Sequence, residues 1–207
     1  MHNIAKNILS WADKEPMSFD EIGMFIEKNM HSLMLQIEQR GFVLRSLMDV
    51  LNPPADIAPR LGELTDILIS ATDSLVYHPR IVQTIIRSLG NKAIVKKQNL
   101  FSFLYERYLV VPPSDKIRNP QARGVDQGLA ASLALHFTWE NFDKIQVLIK
   151  DESLGESRGL LLSAFTRFLH KKEVRLLLTE LTKHMLFAYE SKKLLRRKVR
   201  KPVSTEN

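Results

Sequence analysis

The chain has 207 residues, of which 44% are apolar and 26% charged, and this composition is typical of a soluble globular protein with a substantial core. It contains no cysteine, which excludes a disulfide framework, a thiolate zinc site and a cysteine nucleophile. The 30 basic residues exceed the 23 acidic ones and give a net charge of +7, so a polyanionic partner has to be considered.

The first helices in chain order lie in residues 1–52, which we predict to form an N-terminal helical cap. Apolar residues within 3–13 recur at the spacing of a short amphipathic helix. Ser18 and Glu21 have the spacing of a capping box, so a longer helix should begin there. The apolar pattern of 43–50 predicts one further helix before a proline-rich loop.

Helical patterns continue from residue 57 to residue 201, and no segment alternates like a β-strand. Residues 110–120 form the longest irregular segment of this region, and 202–207 are expected to be a flexible tail. We therefore predict an all-α protein whose helices form four antiparallel pairs. The pairs are 61–76 with 79–90, 97–109 with 121–137, 139–150 with 155–169, and 172–182 with 184–198.

The clearest pair occupies residues 139–169. Apolar residues follow helical spacing in both halves of this segment. Those of the first half are Phe142, Ile145, Leu148 and Ile149, and those of the second are Leu160, Leu161, Ala164, Phe165, Phe168 and Leu169. Ser153 and Glu156 between them have capping-box spacing. Since one such pair cannot bury its own apolar faces, similar pairs should stack beside it.

This pair resembles a HEAT repeat. The resemblance rests on the apolar end of the first helix at Leu148 and Ile149, on Asp151 in the turn, and on Arg158 and the small Ala164 in the next helix. It implies a short right-handed α-solenoid of about four HEAT-like helix pairs behind the N-terminal cap. Such a solenoid presents a concave surface that suits another macromolecule. More loosely, the whole chain resembles small bacterial HEAT-repeat proteins.

The excess positive charge is concentrated near the C-terminus. Seven basic residues lie there with no acidic residue among them: Lys192, Lys193, Arg196, Arg197, Lys198, Arg200 and Lys201. The remaining 23 basic residues equal the acidic residues in number. The basic segment could contact nucleic-acid phosphates or an anionic membrane surface, or it could be a solvated helix end.

Two sequence patterns raise the question of catalysis. Gly155 to Gly159 match the G-x-S-x-G nucleophile elbow around Ser157, but the preceding apolar residues have helical spacing and no βαβ pattern is present. Trp139 and Asp143 loosely resemble the aromatic residue and the aspartate of HEAT-like alkylpurine DNA glycosylases, where the carboxylate stabilises a cationic base.

No histidine pair has metal-ligand spacing, and no glycine-rich phosphate loop is present, so we predict no metal site and no cofactor. His136 with Glu140, and Glu180 with His184, have the i, i+4 spacing of surface helix pairs.

These observations favour a non-enzymatic binding or scaffold protein that engages a protein partner. The alternative is a DNA-binding protein or a HEAT-like DNA glycosylase. No apolar run is long enough for a membrane span, and the N-terminal residues become charged before a signal-like apolar segment develops, so we expect a cytoplasmic protein.

Overall fold

The computed structural model describes residues 2–197, and no residue in this range lies in a β-strand. The predicted all-α class is confirmed. The α-helices are α1 (Asn3–Ala12), α2 (Phe19–Gln39), α3 (Met48–Leu51), α4 (Thr65–Thr72), α5 (Pro79–Leu89), α6 (Lys92–Lys97), α7 (Phe101–Val110), α8 (Val125–Leu135), α9 (Phe142–Lys150), α10 (Lys172–Leu181) and α11 (Ala188–Arg196). The 3₁₀ segments are Ala58–Leu64, Ser114–Lys116, Pro120–Ala122, Trp139–Asn141, Glu152–Leu154 and Glu156–Arg167, and the last is called the long 3₁₀ helix below.

Helix α8 lies at the centre of the fold, with α5 packed on one side and the long 3₁₀ helix on another. Small residues allow α5 and α8 to approach closely. A Cβ atom on Gly90 would lie 2.9 Å from Leu135 Cδ1, and the Ser132 hydroxyl donates a 2.8 Å hydrogen bond to the Ile86 carbonyl. A larger residue at Gly90 would therefore have to displace the half-exposed Leu135 side chain.

The other helices pack around this centre in chain order. Contacts join α4 with α5, α7 with α8, α9 with the long 3₁₀ helix, and α10 with α11. The second members of these pairs also contact one another, α5 with α8, α8 with the long 3₁₀ helix, and the long 3₁₀ helix with α11. One continuous apolar core extends from Ile4 to Leu194.

Short polar residues interrupt two of the predicted helices. The predicted helix 97–109 begins only at Phe101, as α7, after the separate short helix α6 has ended at Lys97, and the Asn99 side chain accepts a hydrogen bond from the Phe101 amide at the start of α7. The predicted helix 43–50 is reduced to the single turn of α3, because the Asp49 carboxylate accepts from the Arg45 amide. Asparagine and aspartate side chains compete with helical hydrogen bonds in this way. At Ser18, by contrast, the predicted capping box is confirmed.

The irregular segment 111–124 is held by a buried carboxylate. Asp126, in the first turn of α8, is 3% exposed and accepts hydrogen bonds from both the amide and the hydroxyl of Ser114. The Ser114 hydroxyl in turn accepts from the Gly124 amide at 2.7 Å. Each end of the irregular segment is therefore fixed to the start of α8.

The same segment binds the N-terminal region. Asn119 donates from its backbone amide to the Ala12 carbonyl (2.8 Å) and from its side chain to the Trp11 carbonyl (3.1 Å). The Gln121 side chain accepts from the Met17 amide (3.0 Å) and donates to the Met17 carbonyl (2.7 Å). These four bonds hold the end of α1 and the linker to α2 against the centre of the fold.

The second half of the clearest predicted pair is wound as a 3₁₀ helix rather than an α-helix. A 3₁₀ helix has three residues per turn, so residues three apart share a face. Leu160, Ser163 and Thr166 accordingly form one exposed row. Leu160, which the α-helical pattern assigned to the apolar face, is 43% exposed.

The predicted capping box of Ser153 and Glu156 is wrong. The Ser153 amide and hydroxyl both donate to the Asp151 carboxylate, at 3.0 and 2.6 Å. Asp151 therefore caps the short turn that precedes the long 3₁₀ helix, and Gly155, at φ +68°, begins the long helix without a side-chain cap.

We predict that replacing Asp126 with Asn destabilises the protein by about 2 kcal/mol, because a hydrogen bond to a buried charge contributes about 1.5–3 kcal/mol. The two Ser114 donors bind different oxygens of Asp126, and Asn offers only one oxygen, so its amide nitrogen would face one of these donors. Asp143→Asn is the matched control, since Asp143 is an exposed first-turn aspartate of α9. Urea unfolding measures both variants, and equal losses of stability would contradict the assigned role of Asp126.

We also predict that stability falls between pH 6.5 and about pH 4 because of His78. Burial, and the positive charges of Arg80 and Lys14, lower the pKa of His78 to about 4. Over this interval the unfolded chain binds a proton at this position and the folded chain does not, so acid favours unfolding, whereas the contribution is fully present above pH 6.5.

The measurement is the urea midpoint as a function of pH. His78→Asn should flatten the dependence, since Asn keeps an acceptor for the Arg80 amide that His78 Nδ1 now binds at 3.2 Å. His31→Gln, at an exposed histidine, should leave the dependence as it is. An unchanged slope in His78→Asn would contradict the prediction.

Candidate functional site

An open groove with a volume of about 880 Å³ lies beside α6. We call it the α6 groove. Its apolar surface comes from Ala58, Pro59, Ala93 and Leu135, and its charged surface from Lys92, Lys96 and Lys97. The groove lies where α5 and α8 end, because Gly90 and Leu135 also line it.

Local interactions fix the short helix that carries these lysines. The Asn91 side chain accepts a 3.0 Å hydrogen bond from the Ala93 amide and so caps α6. Ile94 is fully buried and anchors the helix in the core. Lys97 packs its aliphatic stem over Gly62, where a Cβ atom would lie 2.7 Å from Lys97 Cδ. The exposed lysines are therefore presented from a rigid base.

The α6 groove has an excess of positive charge. No acidic residue lines it, and within residues 2–197 its three lysines form no ion pair. The ends of three helices meet here, and each helix C-terminus contributes about half a negative charge. Their sum is about half the charge of the three lysines, so the groove stays positive. It therefore suits an anionic ligand.

Glu63 does not line the groove and forms an ion pair outside it. Its carboxylate pairs with Arg60 at 3.1 Å. The hydrogen bond from Arg60, with a smaller contribution from Lys97, lowers the pKa of Glu63. Glu63 therefore remains paired with Arg60 and leaves Lys92 and Lys96 uncompensated.

Reasoning from the sequence missed this groove. Outside the C-terminal basic segment the basic and acidic residues are equal in number, but they are not evenly distributed. No acidic residue occurs between Asp73 and Glu106, whereas five basic residues do. Three of these five are the groove lysines. A local charge count, rather than a total for the body, was the signal that would have found it.

The basic C-terminal residues are only partly described. Lys192, Lys193, Arg196 and Arg197 are exposed at the end of α11, and Lys193 pairs with Glu190 at 3.1 Å. Lys198, Arg200 and Lys201 lie outside the described residues. Leu194, on the same helix, is 4% exposed and belongs to the protein core, so it is not available to a membrane surface. The described part of the segment is thus a docked helix with an outer basic face.

Trp139 and Asp143 do not form an enclosed site. The Trp139 ring stacks on Phe142 at 4.8 Å, packs near Phe168 at 5.8 Å, and has Lys171 Nζ 5.0 Å from its centroid. Asp143 is exposed in the first turn of α9. The ring is therefore occupied by protein contacts, and the carboxylate faces solvent.

Ser157 lacks the environment of a nucleophile. It is 5% exposed, and its hydroxyl is bonded to the Tyr108 hydroxyl (3.0 Å) and to the Leu154 carbonyl (3.3 Å). Burial raises the pKa of Tyr108 to about 12, so this phenol cannot act as a base near neutral pH. Ser157 therefore joins α7 to the long 3₁₀ helix through a buried hydrogen bond.

The two histidine pairs predicted on helix surfaces are not formed. His136 is 2% exposed, and its ring accepts from the Leu100 amide (3.1 Å) and donates to the Leu89 carbonyl (2.8 Å). Burial lowers the pKa of His136 and keeps the ring neutral in this bridge. Glu180 pairs with Lys150 at 3.0 Å instead of with His184.

Residues 2–197 contain neither a metal cluster nor a membrane-spanning helix. In this part of the chain no group of three or more His, Asp or Glu side chains could hold a metal ion. No helix there has both the length and the apolar character needed to cross a membrane.

Comparison with protein-family models, curated proteins and solved structures returned no match for this chain. The resemblance to HEAT repeats therefore stays a prediction based on the residues of 139–169.

Proposed function

We propose that this chain is a non-enzymatic binding protein that uses the α6 groove to hold an acidic segment of a protein partner. The observation that carries the proposal is the uncompensated positive charge of Lys92 and Lys96, with Lys97 next to them, beside an apolar surface. Positive charge attracts an acidic segment and guides its approach, while apolar area contributes affinity once water is displaced.

The composition of the groove favours a peptide over a nucleic acid. Proteins that bind single strands combine positive charge with aromatic residues on which the bases stack. Among residues 2–197 no aromatic residue lines the α6 groove, whereas Pro59 and Leu135 offer aliphatic area to an apolar side chain. An acidic peptide with one or two apolar residues matches both features.

We further propose that the helix pairs form a short right-handed α-solenoid of the HEAT type. The proposal is supported by the contacts within each pair and by the row of contacts through α5, α8, the long 3₁₀ helix and α11. In a solenoid, such a row forms one layer, and loops at the helix ends line an edge. The α6 groove would then be an edge site.

A second candidate function is nucleic-acid binding through the basic end of α11. It is favoured by the exposure of Lys192, Arg196 and Arg197 next to each other on a helix that is otherwise docked. Duplex phosphates would be neutralised by such a face, and affinity would fall steeply with salt.

We predict that Lys92→Glu with Lys96→Glu weakens partner binding by about tenfold or more, because each reversal replaces an attraction with a repulsion of roughly 1 kcal/mol. Lys97 is left unchanged, since its stem packs over Gly62. Lys172→Glu with Arg175→Glu is the matched control, as both residues are exposed on α10, do not line the groove, and give the same change in charge.

The measurement uses the full chain to retain proteins from a nuclease-treated lysate of its source cells, followed by calorimetry with each purified partner. A partner that is lost with the groove variant and retained with the control supports the proposal. Equal retention by both variants contradicts it. If an untreated lysate instead yields bound material that nuclease releases, and replacing Arg196 and Arg197 by Gln abolishes this binding, the second candidate is favoured.

A further inference from the structure

A second, smaller cavity of about 320 Å³ lies between the end of α9, the start of the long 3₁₀ helix and the end of α10. We call it the Arg158 cavity. It shares no lining residue with the α6 groove. Its apolar wall consists of Ile149, Leu181 and Phe187, each of which is at most 4% exposed. The wall is therefore part of the fixed core.

The cavity contains a buried guanidinium with incomplete partners. Arg158 is 6% exposed, and it donates from Nε to the Gly155 carbonyl and from Nη1 to the Ile149 carbonyl, both at 3.0 Å. Nη2 donates to no residue within the described range. Because Arg158 lines the cavity, Nη2 is the nitrogen left to bind a ligand there.

Arg158 also lacks an anionic partner. The aspartate that a HEAT-like pair would place beside it, Asp151, is bound by Ser153 instead, and its pKa is lowered by that hydrogen bond first and by Arg158 to a smaller degree. Within residues 2–197 no carboxylate lies within ion-pair distance of Arg158. The guanidinium is mostly buried and has two carbonyls and the Phe187 ring, 5.3 Å from Cζ, as partners but no ion pair in residues 2–197, so a bound anion would be favoured here.

The rim of the cavity adds a further positive charge. Lys150 is paired with Glu180 at 3.0 Å, and the His184 ring lies 3.4 Å from Glu152. Lys150 thus compensates Glu180, and the three basic residues Lys150, Arg158 and Lys183 still exceed the two glutamates that line the cavity by one charge. Lys183, on the same rim, is exposed and forms no ion pair in the described part of the chain. Arg158 and Lys183 are thus the two cations available to one ligand.

We propose that the Arg158 cavity binds a small organic molecule that carries one anionic group, a carboxylate or a phosphate, on an apolar body. The anionic group is bound by Arg158 Nη2 and by Lys183, and the body packs on Phe187 and Leu181. A cavity of about 320 Å³ is at the lower end of the size range of small-molecule sites, which are mostly apolar with a few polar groups. This volume suits a small molecule.

The test is a nuclear magnetic resonance titration of the ¹⁵N-labelled full chain with three probes of similar shape: benzoate, phenyl phosphate and benzamide. We expect saturable shifts at the amides of Ile149, Arg158, Lys183 and Phe187 with at least one anionic probe, and none with neutral benzamide. Saturation by benzoate alone assigns a carboxylate ligand, and saturation by phenyl phosphate alone assigns a phosphate. Equal shifts with benzamide, or no saturation with either anion, would overturn the proposal.

A charge reversal at the rim provides the second readout, since replacing Arg158 itself would also disturb the end of α9. Lys183→Glu should weaken binding of the anionic probe by about tenfold, because the charge reversal acts within a few ångströms of the bound anion. Lys172→Glu, an equal reversal on α10 outside the cavity, should change the affinity little. The same affinity in both variants would contradict binding of the anion at this site.

Discussion

The Asp126 carboxylate at the start of α8 is the interaction on which the rest of the fold depends. It is buried, so its charge must be compensated within the protein, and the Ser114 amide and hydroxyl provide that compensation together with the positive end of α8. These hydrogen bonds to Asp126 fix residues 111–124, although this segment contains little regular structure. Asn119 and Gln121 of this segment then hold the end of α1 and the linker that follows it.

The same segment also positions the elements that form the Arg158 cavity. Gly155 approaches it so closely that a Cβ atom would lie 2.7 Å from Pro113 Cβ, and Lys116 Nζ donates to the Ser153 carbonyl at 3.3 Å. The start of the long 3₁₀ helix, and with it Arg158, is therefore set by the irregular segment. The α6 groove depends on α8 more directly, since its wall includes Leu135 at the end of that helix. Both proposed sites thus lie at helix ends that the central helix holds in place.

The sequence predicted the all-α class and most helices, because apolar spacing and the Ser18 capping box report directly on burial and on local hydrogen bonds. It did not predict the 3₁₀ winding of residues 156–167, since a wide apolar stripe fits a period of 3.0 or of 3.6 residues. It also placed His136 on a surface, because i, i+4 spacing does not reveal that Leu89 and Leu100 lie on either side of the ring. The α6 groove and the Arg158 cavity join residues that are distant in the chain, and such sites require the tertiary structure.

Hydrogen exchange tests the central claim most directly. The amides of Ser114, Asn119 and Gly124 donate to Asp126, to the Ala12 carbonyl and to the Ser114 hydroxyl, respectively. If residues 111–124 are held rigidly against α8, these three amides should be protected from exchange as strongly as those of α8. The account predicts that these amides exchange with the global unfolding of the protein. Exchange of the three amides at the rate of an unstructured peptide, with α8 still protected, would contradict it.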